Sequence, residues 1–440
     1  MHRSSFRSGL FLGAAIVCAT ASPAMANTDS EDGATPQRDY LPAEIVVTGE
    51  RAGYDTADGS TATKTPTPLI DVPQSATFIT EDQLEDQSIR QLGEALRFVP
   101  GISLESGEGH RDEIFIRGQE TTADFYLDGL RDDAQYYRSL YNISRVEVLK
   151  GANALIFGRG AGGGAINRVA KRAELGSQAI SGEASVDSFG AFALLADMNQ
   201  PLSDSVALRI NGTYEEFDSH RDFYEGRFIG VSPTLTAQLG PQTTLIASYT
   251  YDDDRRVTDR GIPSVDGAGP LRGYDDTFFG DPAFNEAEAQ VHIGRIRLEH
   301  DFGGGLSANG TIHHADYDKV YANILPSGVD TAAQTVFLGG YRDYTDRENW
   351  IGQGNLVWQV GNDTVESTLL LGFEASWQDT RNGRDTVSFT RAAVPGGLDP
   401  NETPLADTIF VPPYTLDAGA RLRNSELETL SFYLQEQLQI

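Results

Sequence analysis

From about Gln178 to Ile440 the hydrophobic pattern has a period of two. Val206, Leu208, Ile210 and Tyr214 alternate with Ala207, Arg209, Asn211, Thr213 and Glu215, and Leu245, Ala247, Tyr249 and Tyr251 alternate with Ile246, Ser248, Thr250 and Asp252. Val365, Ser367, Leu369, Leu371, Phe373, Ala375 and Trp377 repeat it against Glu366, Thr368, Leu370, Gly372, Glu374, Ser376 and Gln378. Period two is the signature of a strand with two different faces. No segment approaches the run of about 18 apolar residues that a spanning helix needs. A chain of this kind enters a membrane only as a closed barrel, apolar outside and polar inside, because unpaired backbone groups are too costly in lipid.

The connections carry the same message. Short turns at Gln200 to Ser205, Leu239 to Thr244, Phe302 to Leu306 and Gly361 to Asp363 alternate with long polar segments at about 215–225, 252–288, 319–342 and 380–426. Outer-membrane barrels combine short periplasmic turns with long external loops. Counting from a periplasmic start, with a first outer hairpin at Ser188-Phe-Gly-Ala191, every short turn falls on the periplasmic side. About ten strands are expected by Ile440.

The N-terminus agrees. Arg3 and Arg7 precede an apolar run from Leu10 to about Ala21, and Ala24-Met25-Ala26 fits a cleavage site, so residues 1–26 read as a secretory signal peptide. With Cys18 removed, the mature chain has no cysteine and no disulfide framework. The net charge of −30 argues against a nucleic-acid partner, because phosphate binding draws on Lys and Arg. Residues 27–65, rich in Asp, Thr, Gly and Pro, read as a flexible tether. Within it Glu44-Ile45-Val46-Val47-Thr48-Gly49-Glu50 is a short β-prone segment suited to adding a strand to a partner's sheet edge.

Residues 66–172 have a different character. Asp71-Val-Pro-Gln-Ser-Ala-Thr-Phe-Ile-Thr80 leads into a helical pattern from Glu81 to Arg97, with Leu84, Ile89, Leu92 and Leu96 apolar, stopped by Pro100-Gly101. Ile114-Phe-Ile-Arg117-Gly118 and Phe125-Tyr-Leu-Asp128-Gly129 follow as strands ending in turns. Two further strands, around Val146 to Lys150 and Gly164 to Lys171, flank a Gly-rich bend. That bend contains Gly158-Arg-Gly160-Ala-Gly-Gly163, which satisfies G-x-G-x-x-G. The residues after it alternate as a strand, whereas a nucleotide-binding loop must open a helix, so nucleotide binding is not expected.

In their order, these pieces resemble the plug domain of TonB-dependent outer-membrane receptors over roughly 100 residues. The departures are Ala152-Asn153 where Pro-Ser is usual and Arg159 within the bend. The resemblance implies a mostly β protein: an α+β plug at 66–172 followed by a transmembrane antiparallel β-barrel, of which 178–440 would be part. It also implies that Glu44, Ile45, Val46, Val47 and Thr48 form the TonB box that engages the periplasmic energy-coupling protein. Twenty-two strands are expected by resemblance. Ten strands would close at roughly 20 Å across, too narrow for a plug of about 107 residues and about 33 Å diameter. The chain is therefore expected to be an N-terminal fragment or truncated product.

Val257-Thr-Asp-Arg-Gly-Ile-Pro263 and Phe278-Phe-Gly-Asp-Pro282 resemble a loop of ferric-siderophore receptors, particularly those for catecholates. By that resemblance Arg117, Tyr136, Tyr137 and Tyr141 stand where such receptors present plug residues to ligand. Aromatic faces and a cation suit a bulky anionic chelate. His313 and His314 point to opposite faces of a strand, and His110, His220, His292 and His300 form no chelating pair, so no metal site is expected. No catalytic constellation has motif support, so no enzyme is expected, and no cofactor beyond iron within the siderophore. The implied partners are a ferric siderophore, TonB and outer-membrane lipid, with a monomeric receptor in the outer membrane. A TonB-dependent receptor for another bulky solute, such as a cobalamin, a glycan or another metal chelate, is the alternative, as is a truncated, non-functional fragment.

Overall fold

The computed structural model describes residues 53–54 and 60–440, apart from 73–74, 152–155, 159–162, 266, 268, 363 and 393–396. The expected signal peptide at 1–26, the expected TonB-box segment 44–50 and Arg159 lie outside the described residues.

Ten long strands form the wall. In chain order they begin with β9 (Ala179–Val186), β10 (Phe192–Ser203), β11 (Val206–Asp218), β12 (Glu225–Gly240), β13 (Thr243–Arg256) and β14 (Glu286–Gly303). They continue with β15 (Leu306–Asp330), β16 (Thr335–Gly361), β17 (Glu366–Phe389) and β19 (Tyr414–Gln439), while the short β18 (Glu402–Pro404) pairs with β16. Each long strand is antiparallel to the next, and among the described residues β9 and β19 each have one neighbour.

The short turns between β10 and β11, β12 and β13, β14 and β15, and β16 and β17 all fall at one end, as the alternation requires. Two segments expected as external loops are largely strand. Residues 319–330 and 335–342 continue β15 and β16 to a turn at 331–334, and 380–389 and 414–426 continue β17 and β19. A transmembrane strand needs about 9–11 residues, so these strands of 24–27 residues project well beyond lipid. Outside the bilayer both faces meet water, so the ladder continues through sequence that reads as polar.

The plug holds two sheets. One is ordered β1 (Ser75–Thr80), β7 (Ile143–Lys150), β8 (Gly164–Ala170), β5 (Phe125–Leu127), β6 (Leu130–Arg131); the other joins β2 (Ile102–Leu104), β3 (Ile114–Ile116) and β4 (Gln119–Thr121). The helix expected over Glu81 to Arg97 is instead two helices, Glu81–Asp86 and Leu92–Leu96. Ser88 takes a left-handed φ of 51°. Gln91 bridges to Ser139, which draws the chain out of helical geometry. The apolar positions read as one stripe still serve one core: Leu84, Leu92 and Leu96 are buried and Ile89 packs against them.

That core does not stop at the plug surface. Ile114, Ile116, Phe125, Ile143, Val146, Val148 and Ile166 share one cluster with Val291, Ile293, Ala315 and Tyr317 of the wall. Ion pairs fasten the contact: Asp128 to Arg295, Asp133 to Arg347 at 2.5 Å, Lys171 to Asp197 at 3.0 Å and Arg172 to Glu299 at 3.4 Å. Arg172 and Glu299 lie toward the short-turn end of the wall. The plug loop 105–113 meets the opposite end.

Candidate functional site

The loop 105–113 owes its reach to glycine. Gly107, Glu108 and Gly109 have φ of 58°, 53° and 77°, a conformation that side chains resist. A Cβ on Gly109 would lie 2.7 Å from the Asp259 carbonyl oxygen, so only glycine lets the loop approach the segment between β13 and β14 this closely. His110 then stacks on Tyr321 of β15, with ring centroids 3.9 Å apart.

Around this stack lies a network rich in arginine and tyrosine. Arg260 donates to the Tyr321 hydroxyl at 2.8 Å, to the Tyr341 hydroxyl at 3.3 Å and to the Glu108 carboxylate at 3.4 Å. Arg111 donates to the same carboxylate at 2.5 Å, and the Tyr341 hydroxyl does so at 3.2 Å. The Arg384 guanidinium lies 3.7 Å from the Tyr341 ring centroid, and both Arg384 and Arg421 pair with Asp343. The His110 ring and the Arg111 guanidinium hold the Glu108 carboxyl far below the usual range. Burial lowers His110 to about 4, against the raising pull of Glu108. An arrangement of guanidinium groups over phenol rings offers charge and π-faces to a large anion.

The four residues singled out in the sequence occupy different places. Tyr137 is half-buried on this face: its hydroxyl donates to the Ser106 carbonyl at 3.2 Å, and the Arg256 guanidinium lies 4.5 Å from its ring centroid. Tyr136 is buried, donating to Asp132 at 2.7 Å. Tyr141 is also buried; its hydroxyl reaches Asp252 on β13 at 2.9 Å and its ring fills the space left by Gly230. Arg117 is exposed, with φ of 52°, in the turn after β3; its backbone N–H donates to the Gly101 carbonyl at 2.8 Å, and its side chain makes no hydrogen bond to another described residue. The structure does not bring Arg117 together with the three tyrosines. His313 is fully buried, and His314 lies tilted beside Trp350, ring centroids 4.4 Å apart, on the other face of β15. Among the described residues no group of three or more His, Cys, Asp or Glu is placed to hold a metal ion.

Beneath the face, Asp132 is the hub of the plug. It accepts from Tyr136, Arg138, Arg168 and, across the interface, Tyr317 at 3.0 Å. Despite burial, Arg138 and Arg168 hold it down to about 2. Arg138 is itself fully buried and reaches Asp112 as well.

The sequence does not single out Glu108, Tyr321, Tyr341 or Arg384, and it marks His110 only as forming no chelating pair. Arg260 stands inside the Val257 to Pro263 segment that was noted. Tyr321 and Tyr341 lay in a stretch read as loop. Extending the alternation Tyr317, Lys319, Tyr321, Asn323 past the lipid-facing part of β15 would have placed Tyr321 on the inner face.

A plug packed against an antiparallel sheet of long strands, with an arginine- and tyrosine-rich face at its long-loop end, is the architecture of a plugged outer-membrane β-barrel. Residues 68–165 match the family model of the TonB-dependent receptor plug domain. The chain is 29% identical over 339 residues to the probable TonB-dependent siderophore receptor PiuA of Acinetobacter baumannii, covering 74% of this chain and 46% of that protein. It is 26% identical over 473 residues to the catecholate siderophore receptor Fiu of Escherichia coli K12, covering 100% of this chain and 58% of Fiu. The crystal structure of Fiu in its open form superposes with a TM-score of 0.74 at 25% identity, over 86% of this chain and 59% of Fiu. The chain is similar to TonB-dependent receptors, residues 68–165 matching their plug domain, and it spans about half the length of the curated relatives it matches.

Proposed function

We propose that this chain supplies the plug and part of the barrel of a receptor that imports ferric siderophores across the outer membrane, driven by TonB. The observation that carries this reading is the cluster of Arg260, Arg384, Tyr321 and Tyr341 about the plug loop. In a chain of net charge −30, cations gathered at the outer end suit an anionic aromatic chelate. The siderophore-receptor names of PiuA and Fiu support the same reading. Tyr137 and Arg117 are our candidate plug contacts, with Tyr136 and Tyr141 bracing that face from below. Glu44, Ile45, Val46, Val47 and Thr48 are the proposed TonB-binding strand. Iron enters only within the siderophore, and no catalytic step is assigned.

Uptake of radiolabelled iron as a tris-catecholate chelate tests the reading in cells carrying the intact receptor. Arg260→Ala with Arg384→Ala should lower uptake of the catecholate without affecting assembly in the membrane. Unchanged uptake would remove the cluster from ligand recognition.

A further inference from the structure

Tyr317, Lys319 and Tyr321 alternate along the inner face of β15. Tyr317 donates to Asp132 of the plug at 3.0 Å, and Tyr321 carries the His110 stack. Lys319 therefore lies between the buried hub and the arginine–tyrosine network, about 7 Å along the strand from either tyrosine. Its partners across the ladder are Ala289 of β14 and Thr345 of β16, and neither carries a charge. Lys319 is half-buried, and among the described residues its side chain has no hydrogen bond or ion pair.

The other cations around the plug loop are matched. Arg111 pairs with Glu108 and Glu113, Arg138 with Asp112 and Asp132, Arg347 with Asp133, and Arg384 with Asp343. Arg260 shares Glu108, and Arg421 shares Asp343. An anion arriving at these guanidiniums meets charge that is already largely cancelled, and gains chiefly hydrogen bonds. At Lys319 the charge is not cancelled. Burial, with Arg111, Arg138 and Arg347 close by, lowers its pKa from 10.5 to about 7; Asp343 pulls the other way but is held by two arginines. An ammonium half-buried among like charges costs stability, and an incoming anion offsets that cost.

We propose that Lys319 is the charge-selecting contact of this face: its ammonium meets an anionic oxygen of the bound iron chelate, so the receptor takes an anionic chelate in preference to a neutral one. This rests on the siderophore reading above and adds the residue that sets charge preference within it. A ferric tris-catecholate is such an anion, whereas a ferric tris-hydroxamate is neutral.

A proton follows from the same arrangement. The charged and titratable groups around the amine are His110 and Arg111 of the plug loop, Arg138 of the plug, Tyr317 and Tyr321 on either side, and Asp343 and Arg347 of β16, while β14 presents Ala289. Near pH 7 these arginines stay charged and His110 stays neutral, so the amine is the group that titrates. The ammonium should strengthen anion binding about tenfold, the low end for a hydrogen bond to a charged group. By linkage its pKa then rises by about one in the complex, and binding takes up about 0.1 proton at pH 6 and about 0.4 at pH 7 to 8.

Isothermal titration calorimetry of the intact receptor in detergent, with an iron(III) tris-catecholate chelate in buffers of different ionisation enthalpy, measures that proton. Wild type should bind about fivefold more weakly at pH 8 than at pH 6, and at pH 8 should take up more proton than Lys319→Arg. Lys319→Arg, charged at either pH, should bind at least as tightly and without that dependence. Lys319→Met should bind about tenfold more weakly at pH 6, approach wild type at pH 8, melt no lower than wild type, and keep the wild-type affinity for a ferric tris-hydroxamate. Should Lys319→Met fail to assemble, the wild-type proton uptake and Lys319→Arg still decide. Binding of the catecholate chelate with no more proton uptake than Lys319→Arg, undiminished binding by Lys319→Met at pH 6, or an equal loss for the neutral chelate would overturn the role of Lys319 and leave the siderophore reading standing. A wild type that binds neither iron chelate would overturn both.

Discussion

His110 at the plug tip and Tyr321 of the barrel wall lie face to face, 3.9 Å apart, and their contact holds only while the imidazole is neutral and dry. Burial lowers the His110 pKa from 6.5 to about 4, so between those values the unfolded or detached loop binds a proton that the docked loop does not. By linkage, stability from this group is full above about pH 6.5 and is lost as pH falls toward 4. Glu108, whose carboxyl is held low, loses its contribution in the same direction.

The expected outcome is a plug loop that detaches on acidification. Hydrogen exchange of residues 105–113, followed from pH 7 to pH 4 with correction for intrinsic rates, should show protection falling. His110→Gln should flatten that dependence between pH 6.5 and 4. An unaltered profile in the variant would place the pH response elsewhere.

Asp132 sets the second prediction. Four donors converge on one buried carboxylate, and removing its charge leaves Arg138 with Asp112 alone and Arg168 buried without its carboxylate partner. Asp132→Asn should destabilise the plug by about 3–5 kcal/mol, the range for breaking a buried pair on one side, read from denaturant unfolding. Because its pKa is lowered to about 2, the wild-type advantage is full above about pH 3.8 and lost as pH falls through 2. A loss under about 1 kcal/mol would mean that Asp112 replaces Asp132 as the counter-ion.

Ligand affinity gives a third. Tyr137→Ala should weaken binding of the ferric catecholate by about 1–3 kcal/mol if the ring contacts ligand. Tyr141→Phe instead leaves the half-buried Asp252 without its donor and should lower stability more than affinity. A fluorescence titration beside a melting curve for each variant separates the two, and the reverse pattern would exchange the two roles.

Energy coupling supplies the last. Pro has no N–H to give a sheet edge, so Val46→Pro or Val47→Pro should abolish uptake and leave siderophore binding intact. Persistent transport in either variant would remove the segment from TonB recognition.

Much of the architecture was legible because period two is a local property. Alternation along β11, β13 and β17, and the parity of short turns, were enough to give ten antiparallel wall strands and a plug ahead of them. The break in the helix at Ser88 was not legible, since the bridge from Gln91 to Ser139 spans 48 positions and leaves no periodic trace. Nor were the outer extents of β15 and β16, where both faces meet water and polar sequence no longer distinguishes strand from loop.

The site divides along the same line. The sequence by itself determined that Arg117 and Tyr136, Tyr137 and Tyr141 lie near plug turns, and that Arg260 sits in a distinctive loop. Only the tertiary structure decided that Tyr136 and Tyr141 point into the packed interface while Arg260, Tyr321 and Tyr341 meet Glu108, residues separated by up to 233 positions. Alternation tells which face of a strand a side chain takes. What that face meets depends on how the plug is set against the wall, and partly buried ion pairs such as Asp128 to Arg295 and a core shared by both, contacts between distant parts of the chain, fix that placement.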